Sequence, residues 1–441
     1  MRRIAWRVLA ASAATLTAIA LASPATAGKA GPGAAAAAAT FAAPVKVTPD
    51  LGYGYEPTVL VDRFGNVFAT AHKENWQLVV APDQNSPTFQ RSMSWAWTSV
   101  DGGNSFVDIP GLSPASLEQH EFGDEGDMAL DDAGHLYFVD TNVTDVTFTR
   151  WKVTGNSLAS MTLETTRPIL PSVSPLDDRP WVIAHGNGQV FYFGNDGTKA
   201  GDGGRYTVYK STDAGNTFDP VGTVLPDSGW CRPAADHAKG SKYVYVFCGS
   251  DTGWLASYVT TNDGLSWKRY TVARYNASDG TQSWPSVQVA PDGSIWALYV
   301  DGVKLDQDGI PITSSLRLFH STDHGVTWSE QNITPQPGHY EYGWVSVSPS
   351  GNQLGLGVYY RPNGTSPWRV YGAVWTPGAV PKLVSLDDAN PVAQADESEA
   401  PGDFLTSYFG PNNKLSVIWT RIVQRIAPFV ALRDIYYVHQ T

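Results

Sequence analysis

The chain has 441 residues, enough for two or three average domains or one large repeat fold. Aromatic residues make up 12% of it, with 16 Trp, whereas charged residues reach only 16%, too few for long solvent-facing helices. Its net charge of −12 disfavours nucleic acid and anionic membrane as partners and leaves neutral or cationic ones.

In chain order, residues 1–27 read as an export signal: a basic start (MRRIAWR), a short apolar run and the small-residue site ATA at 25–27. The Arg2-Arg3 pair alone does not select the twin-arginine route. Residues 28–44 form an Ala/Gly-rich spacer. No later apolar run is long enough to span a bilayer, so secretion to the extracellular space without membrane insertion is expected. Without the first 27 residues the charge falls to −15. Oligomeric state leaves no clear mark in the sequence, and a monomer is the expectation.

From residue 56 onward, seven segments repeat one pattern, beginning at 56, 125, 179, 232, 284, 342 and 402. Each is a short apolar alternation, a Gly/Asn/Asp turn and a second alternation, which is a β-hairpin. A second hairpin follows most of them. Four strands per unit, repeated radially, predict an all-β fold: a seven-bladed β-propeller, with six blades the alternative count. Residues 45–441 are then a single domain. The last unit is short of one strand, and APVKVT (43–48) has no hairpin partner of its own. That stretch is predicted to supply the outer strand of the last blade, closing the ring and removing exposed edges. Cys231 begins one strand and Cys248 ends the next, so either a disulfide across that hairpin or two buried thiols fits.

A phrase of the form Ser/Thr-x-Asp-x-Gly-x-Thr/Ser-aromatic keeps step with the units. It occurs as TSVDGGNSF (98–106), KSTDAGNTF (210–218), HSTDHGVTW (320–328) and, shortened, TTNDGLSW (260–267). Its carboxylate can accept backbone N–H groups within its own turn, and its glycine permits positive φ. This phrase resembles the Asp-box, or BNR repeat, of sialidases and related secreted propellers. The resemblance implies that Asp101, Asp213, Asp263 and Asp323 are structural, at the turn between the third and fourth strands of a blade. It also implies that ligand meets the opposite face, where the inner strands begin.

On that face the repeat gathers Glu56, Glu125, Arg179, Arg232, Trp284, Tyr342 and Asp403 at the strand starts. Loops and second strands add His72, His120, Asp124, Asp127, His237, Glu341 and Arg361. Carboxylates, arginines and aromatic rings in one funnel suit a glycan. Glu56 and Glu125, equivalent in adjacent blades, are the expected acid and base or nucleophile, with Tyr342 as a further catalytic candidate. Arg179, Arg232, Trp284, His120, Asp124 and Asp403 are the expected substrate contacts. Two structural alternatives stand beside these: the arginines pair with neighbouring acids, and Trp284 and Tyr342 pack between blades. HEFGDEGD (120–127) reads as a solvated loop or as a calcium site, with oxygens enough for the ion but not the spacing of an EF-hand; no cofactor is required and no metal ligand is assigned.

Sialidases use three arginines on the substrate carboxylate, and their first blade carries Arg-Ile-Pro where this chain has Tyr55-Glu56-Pro57. The resemblance therefore implies a sialidase-like glycoside hydrolase acting on another sugar. A non-catalytic glycan- or protein-binding propeller is one alternative. A uronate lyase, with Arg179 and Arg232 neutralising the carboxylate, is the other.

Overall fold

The structure is a computed structural model describing residues 38–441 except 49–53, 73–93, 113–122, 143–145, 169–179, 196–205, 220–221, 227, 251–252, 276–283, 306–310, 398–399, 403 and 428–429. Seven antiparallel sheets of four strands each make up the described chain. It is a seven-bladed β-propeller. In blades 1 to 6 the strands run in sequence order from the inside out. The inner strands are Tyr55–Val61, Gly123–Leu130, Trp181–His185, Trp230–Ala235, Ser286–Val289 and His339–Val347, with Thr406–Phe409 in blade 7.

Blade 7 takes its fourth strand from the other end of the chain. Val45–Lys46 lies antiparallel to Val430–His439, in the register Val45↔Tyr437 and Lys46↔Tyr436. Phe41 forms a further bridge to Gln440, and Lys46 Nζ sits 2.9 Å from the buried Asp434. The closing strand expected from APVKVT is thus present. Its backbone satisfies a sheet edge that would otherwise be open.

The recurring turn explains how blades are fastened to each other. In blade 1, Ser99 Oγ donates to Asp101 Oδ1 at 2.7 Å, and the same oxygen accepts the N–H groups of Asn104 and Ser105 at 3.0 Å. Asp213 and Asp323 accept from Thr217 and Thr327 in the same way. In blade 4 these bonds belong to Asn262: it accepts from Thr260 Oγ1 at 2.8 Å and from Ser266 N at 3.0 Å. Asp263, the residue expected in that role, lies one place along at φ 54°, where Ala214 and His324 stand in the sister turns. An amide oxygen can accept these N–H bonds as a carboxylate does, so the turn survives the exchange.

The aromatic residue ending each turn reaches back to the preceding blade. Phe106 meets Tyr437, Phe218 meets Phe148, Trp267 meets Phe193 and Trp328 meets Phe247, at centroid distances from 5.2 to 6.3 Å. Gly103 and Gly215 have positive φ and lie flat against that same neighbour. A Cβ would stand 2.1 Å from Tyr437 Cε1 in the first case and 2.0 Å from Phe148 Cε1 in the second. In blade 2, which lacks the phrase, a 3-10 turn at Leu158–Ser160 occupies the place. Cys231 and Cys248 are directly opposite in blade 4 and form a disulfide, both sulfurs buried.

Candidate active site

Inner strands line the axis, and their register fixes which side chains share a level. Four residues before the turn that ends each inner strand stand Thr58, Asp127, Trp181, Arg232, Ser286, Trp344 and Thr406. Three of these tie one blade to the next through the N–H that follows the counterpart residue. Thr406 Oγ1 accepts from Val59 at 2.9 Å, Asp127 Oδ2 from Val182 at 3.1 Å and Ser286 Oγ from Val345 at 2.8 Å.

Two residues nearer the strand starts lie Glu56, Glu125, Trp230, Trp284, Tyr342 and Phe404. Arg232, expected at this outer level, is therefore replaced there by Trp230, and Phe404 stands at that level in blade 7. The reason in blade 4 is the pairing Trp230↔Gly249, which starts the strand two residues earlier than the repeat suggests. Arg232 consequently lies deeper. Its Nη1 is 3.2 Å from Asp127 Oδ2, and its guanidinium carbon lies 4.1 Å from the Trp181 ring centroid and 5.0 Å from that of Trp344. Burial pushes the Asp127 carboxyl up despite the pull of Arg232, and burial also lowers Arg232. A buried, paired guanidinium is committed to the fold and is poorly placed to grip a substrate carboxylate.

Trp284 is 1% exposed and packs edge-on against Trp181 and Trp230, at 5.8 and 4.8 Å. It is inter-blade packing and offers no open face for a sugar. Phe404 joins the same layer, 5.3 Å from Trp181 and 6.0 Å from Trp344.

Glu56 is buried, with Oε2 3.4 Å from His72 Nε2 on the adjacent strand. The Tyr55 ring meets His72 edge-on at 5.1 Å. The pairing slips between Tyr55 and Thr58, and Glu56 takes φ 48° in that bulge. Blade 6 repeats the device: the register slips between Glu341 and Trp344, and Tyr342 takes φ 53°. Strict alternation along a strand fails at such a bulge. Tyr342 packs edge-on to Tyr359 at 6.3 Å.

Beside it, buried Glu341 accepts the Ala400 N–H at 2.6 Å and lies 3.1 Å from His339 Nε2. Arg361, opposite His339 in the register, donates to the Glu397 carbonyl at 2.9 Å and lies over the Trp368 ring. Glu341 and Glu56 flank one connector between blades 6 and 7. The first bonds to Ala400, and a Cβ on Gly402 would stand 3.8 Å from Glu56 N. His339 escaped the sequence reading, because only its pairing with Arg361 reveals it.

His237, gathered with the funnel from sequence, belongs to the other face. It follows the inner strand of blade 4, and its Nδ1 is 2.9 Å from Asp132 in blade 2. His120, Arg179 and Asp403 lie outside the described residues. Asp124 and Glu125 are on the strand Gly123–Leu130, whose backbone alone is described there. Among the described residues no group of three or more His, Cys, Asp or Glu could hold a metal ion.

No protein-family model and no curated protein matches the chain. Solved structures similar to it include an intramolecular trans-sialidase from Ruminococcus gnavus, at TM-score 0.41 and 12% identity over 83% of this chain and 90% of that one. A Penicillium chrysogenum alpha-L-arabinanase complexed with arabinobiose gives TM-score 0.44 and 13% identity over 76% and 98%. An Aleuria aurantia lectin gives 0.39 and 12% over 70% and 90%.

Proposed function

We propose that the protein acts on a carbohydrate at the strand-start end of the ring, as a glycoside hydrolase in which Glu56 is one of two carboxyl groups. One observation carries this reading. Among the described residues, six non-glycine residues have positive φ. Four of them, Ala214, Asp263, His324 and Asn413, sit in tight turns, where such a conformation is ordinary. The other two are Glu56 and Tyr342, at matching bulges of two inner strands. Glycine would relieve both at no steric cost, and Pro57 further disfavours this conformation in its predecessor. Strain of about 1–3 kcal/mol held by a buried acid and a tyrosine points to a use for those side chains.

In this reading Glu56, as the neutral acid, gives its proton to the glycosidic oxygen as the bond to the sugar breaks. Glu125, at the same level of the next blade, attacks the anomeric carbon or takes a proton from the attacking water. His72, beside Glu56, is placed to balance the proton that Glu56 gives up. Tyr342 lies against the bound sugar. The pairing of Arg232 with Asp127 speaks for a neutral sugar and against both sialic acid and a uronate lyase. The buried disulfide suits an extracellular setting.

Screening the protein and its Glu56→Gln variant against a polysaccharide panel tests the reading. Cleavage by the wild type that falls at least about a hundredfold in the isosteric variant, with unfolding unchanged, supports it. Undiminished cleavage in the variant refutes the role of Glu56. Binding without cleavage of any glycan by the wild type makes the protein a binding propeller instead.

A further inference from the structure

Below the aromatic layer the axis is hollow. A cavity of about 140 Å³ runs between the inner strands of all seven blades. Its inner end is formed by Thr58, Asp127, Arg232 and Trp344, and its outer end by His237 and Tyr408. A second cavity, about 290 Å³, lies over blades 1 and 2 on the face of the recurring turns and shares Leu130, His237 and Tyr408 with the first. His237 is half exposed, so the end that the two cavities share opens on that face.

Two polar atoms at the inner end make no hydrogen bond among the described residues. They are Thr58 Oγ1 and Asp127 Oδ1, in adjacent blades at one level, on residues 2% and 0% exposed. The Met128 N–H supports the Asp127 carboxylate electrostatically, but Oδ1 receives no hydrogen bond of proper geometry. Leaving a buried acceptor unmatched costs about 1–3 kcal/mol, and more for a charged one. Among the described residues the Arg232 guanidinium makes one hydrogen bond, to Asp127.

We propose that this axial cavity is a second binding site, entered from the face opposite the candidate active site, for a small neutral polyhydroxylated molecule of monosaccharide size. The chemistry of the lining selects that class. Asp127 only accepts and Arg232 only donates, side by side, so a partner that satisfies both must donate and accept at once, as a hydroxyl does. An anion meets Asp127, with Asp62, Asp131 and Asp132 along its way in; a cation meets Arg232. At about 10–15 Å³ of such space per water, the inner cavity takes about ten water-sized groups, the scale of one sugar ring. Glu56 does not line this cavity; it stands at the level of Trp284, two residues nearer the strand starts than Thr58.

The test follows the His237 ring resonances by NMR during titration with D-glucose, L-arabinose and myo-inositol, with acetate and methylammonium as charged controls. The expected result is saturable shifts with at least one neutral probe. In the Thr58→Val variant its affinity should be about tenfold weaker, the size of one hydrogen bond. Because Thr58 Oγ1 has no hydrogen-bond partner among the described residues, this change should leave unfolding where it was. No saturation by any neutral probe, equal affinity in the variant, or tighter binding of a charged control would each overturn the proposal.

Discussion

Gly102 and Gly103 stand next to each other in one turn, at φ 78° and 92°. They differ in surroundings. A Cβ on Gly102 meets nothing within 4 Å, whereas on Gly103 it would lie 2.1 Å from Tyr437 Cε1. Tyr437 belongs to blade 7 and pairs with Val45, so this contact lies where the ring closes. Gly102→Ala should cost only the left-handed backbone penalty, about 1 kcal/mol. Gly103→Ala adds overpacking of about 1–3 kcal/mol, for a total of about 2–4. Urea unfolding followed by tryptophan fluorescence gives both values, provided the slope with denaturant is unchanged. Combining Gly103→Ala with Tyr437→Val should recover part of the loss, because the two side chains then no longer compete for one space. Equal costs for the two single substitutions would refute the packing of blade 1 on blade 7.

Three further outcomes are expected. The Asp323 carboxyl is held below its ordinary value chiefly by the Thr327 hydroxyl and N–H, and Asp101 and Asp213 are lowered too. A depressed carboxyl contributes stability above its unfolded value of about 3.8, lost as pH falls through the folded one. Amide protection at Thr217 and Thr327 should therefore drop below about pH 4, while Ser266, bonded to the non-titrating Asn262, keeps its own; a parallel drop at Ser266 would contradict this. Replacing Cys231 and Cys248 by Ala opens a loop of sequence separation 17 and should cost about 3 kcal/mol in the same urea assay; a loss under about 1 would show the bridge to be dispensable. Deleting residues through 48 leaves the edge of the strand Val430–His439 unpaired. The truncated chain should self-associate on a sizing column, and unchanged monomeric elution with an unchanged melting temperature would count against closure by that strand.

The fold was legible because its signal is repeated. Period-two alternation around seven turns predicts seven hairpins, and the unpartnered stretch 43–48 predicts the closing strand. What the alternation hides is any place where it breaks. The bulges at Glu56 and Tyr342 each shift the register by one residue, and no composition rule marks them in advance. Arg232 lies two residues deeper than the repeat suggests for a related reason, since Trp230 extends its strand by pairing with Gly249. The recurring phrase points to Asp263 rather than Asn262 because it specifies a carboxylate, although the turn needs only an acceptor oxygen. For His237, sequence gives nearness to a strand but not which end of the axis that strand end occupies. His339 and Arg361 meet only through strand pairing, which a linear reading does not supply.

The most direct measurement pairs stability with cleavage in a Glu56→Asn variant, since Asn tolerates the left-handed region better than Glu and is too short to reach the same atoms. If Glu56 is held strained for its carboxyl group, unfolding should be unchanged or shifted to higher urea while cleavage of the glycan found by panel screening falls at least about a hundredfold. A variant that unfolds more easily yet cleaves as fast as the wild type would mean that Glu56 serves the fold alone.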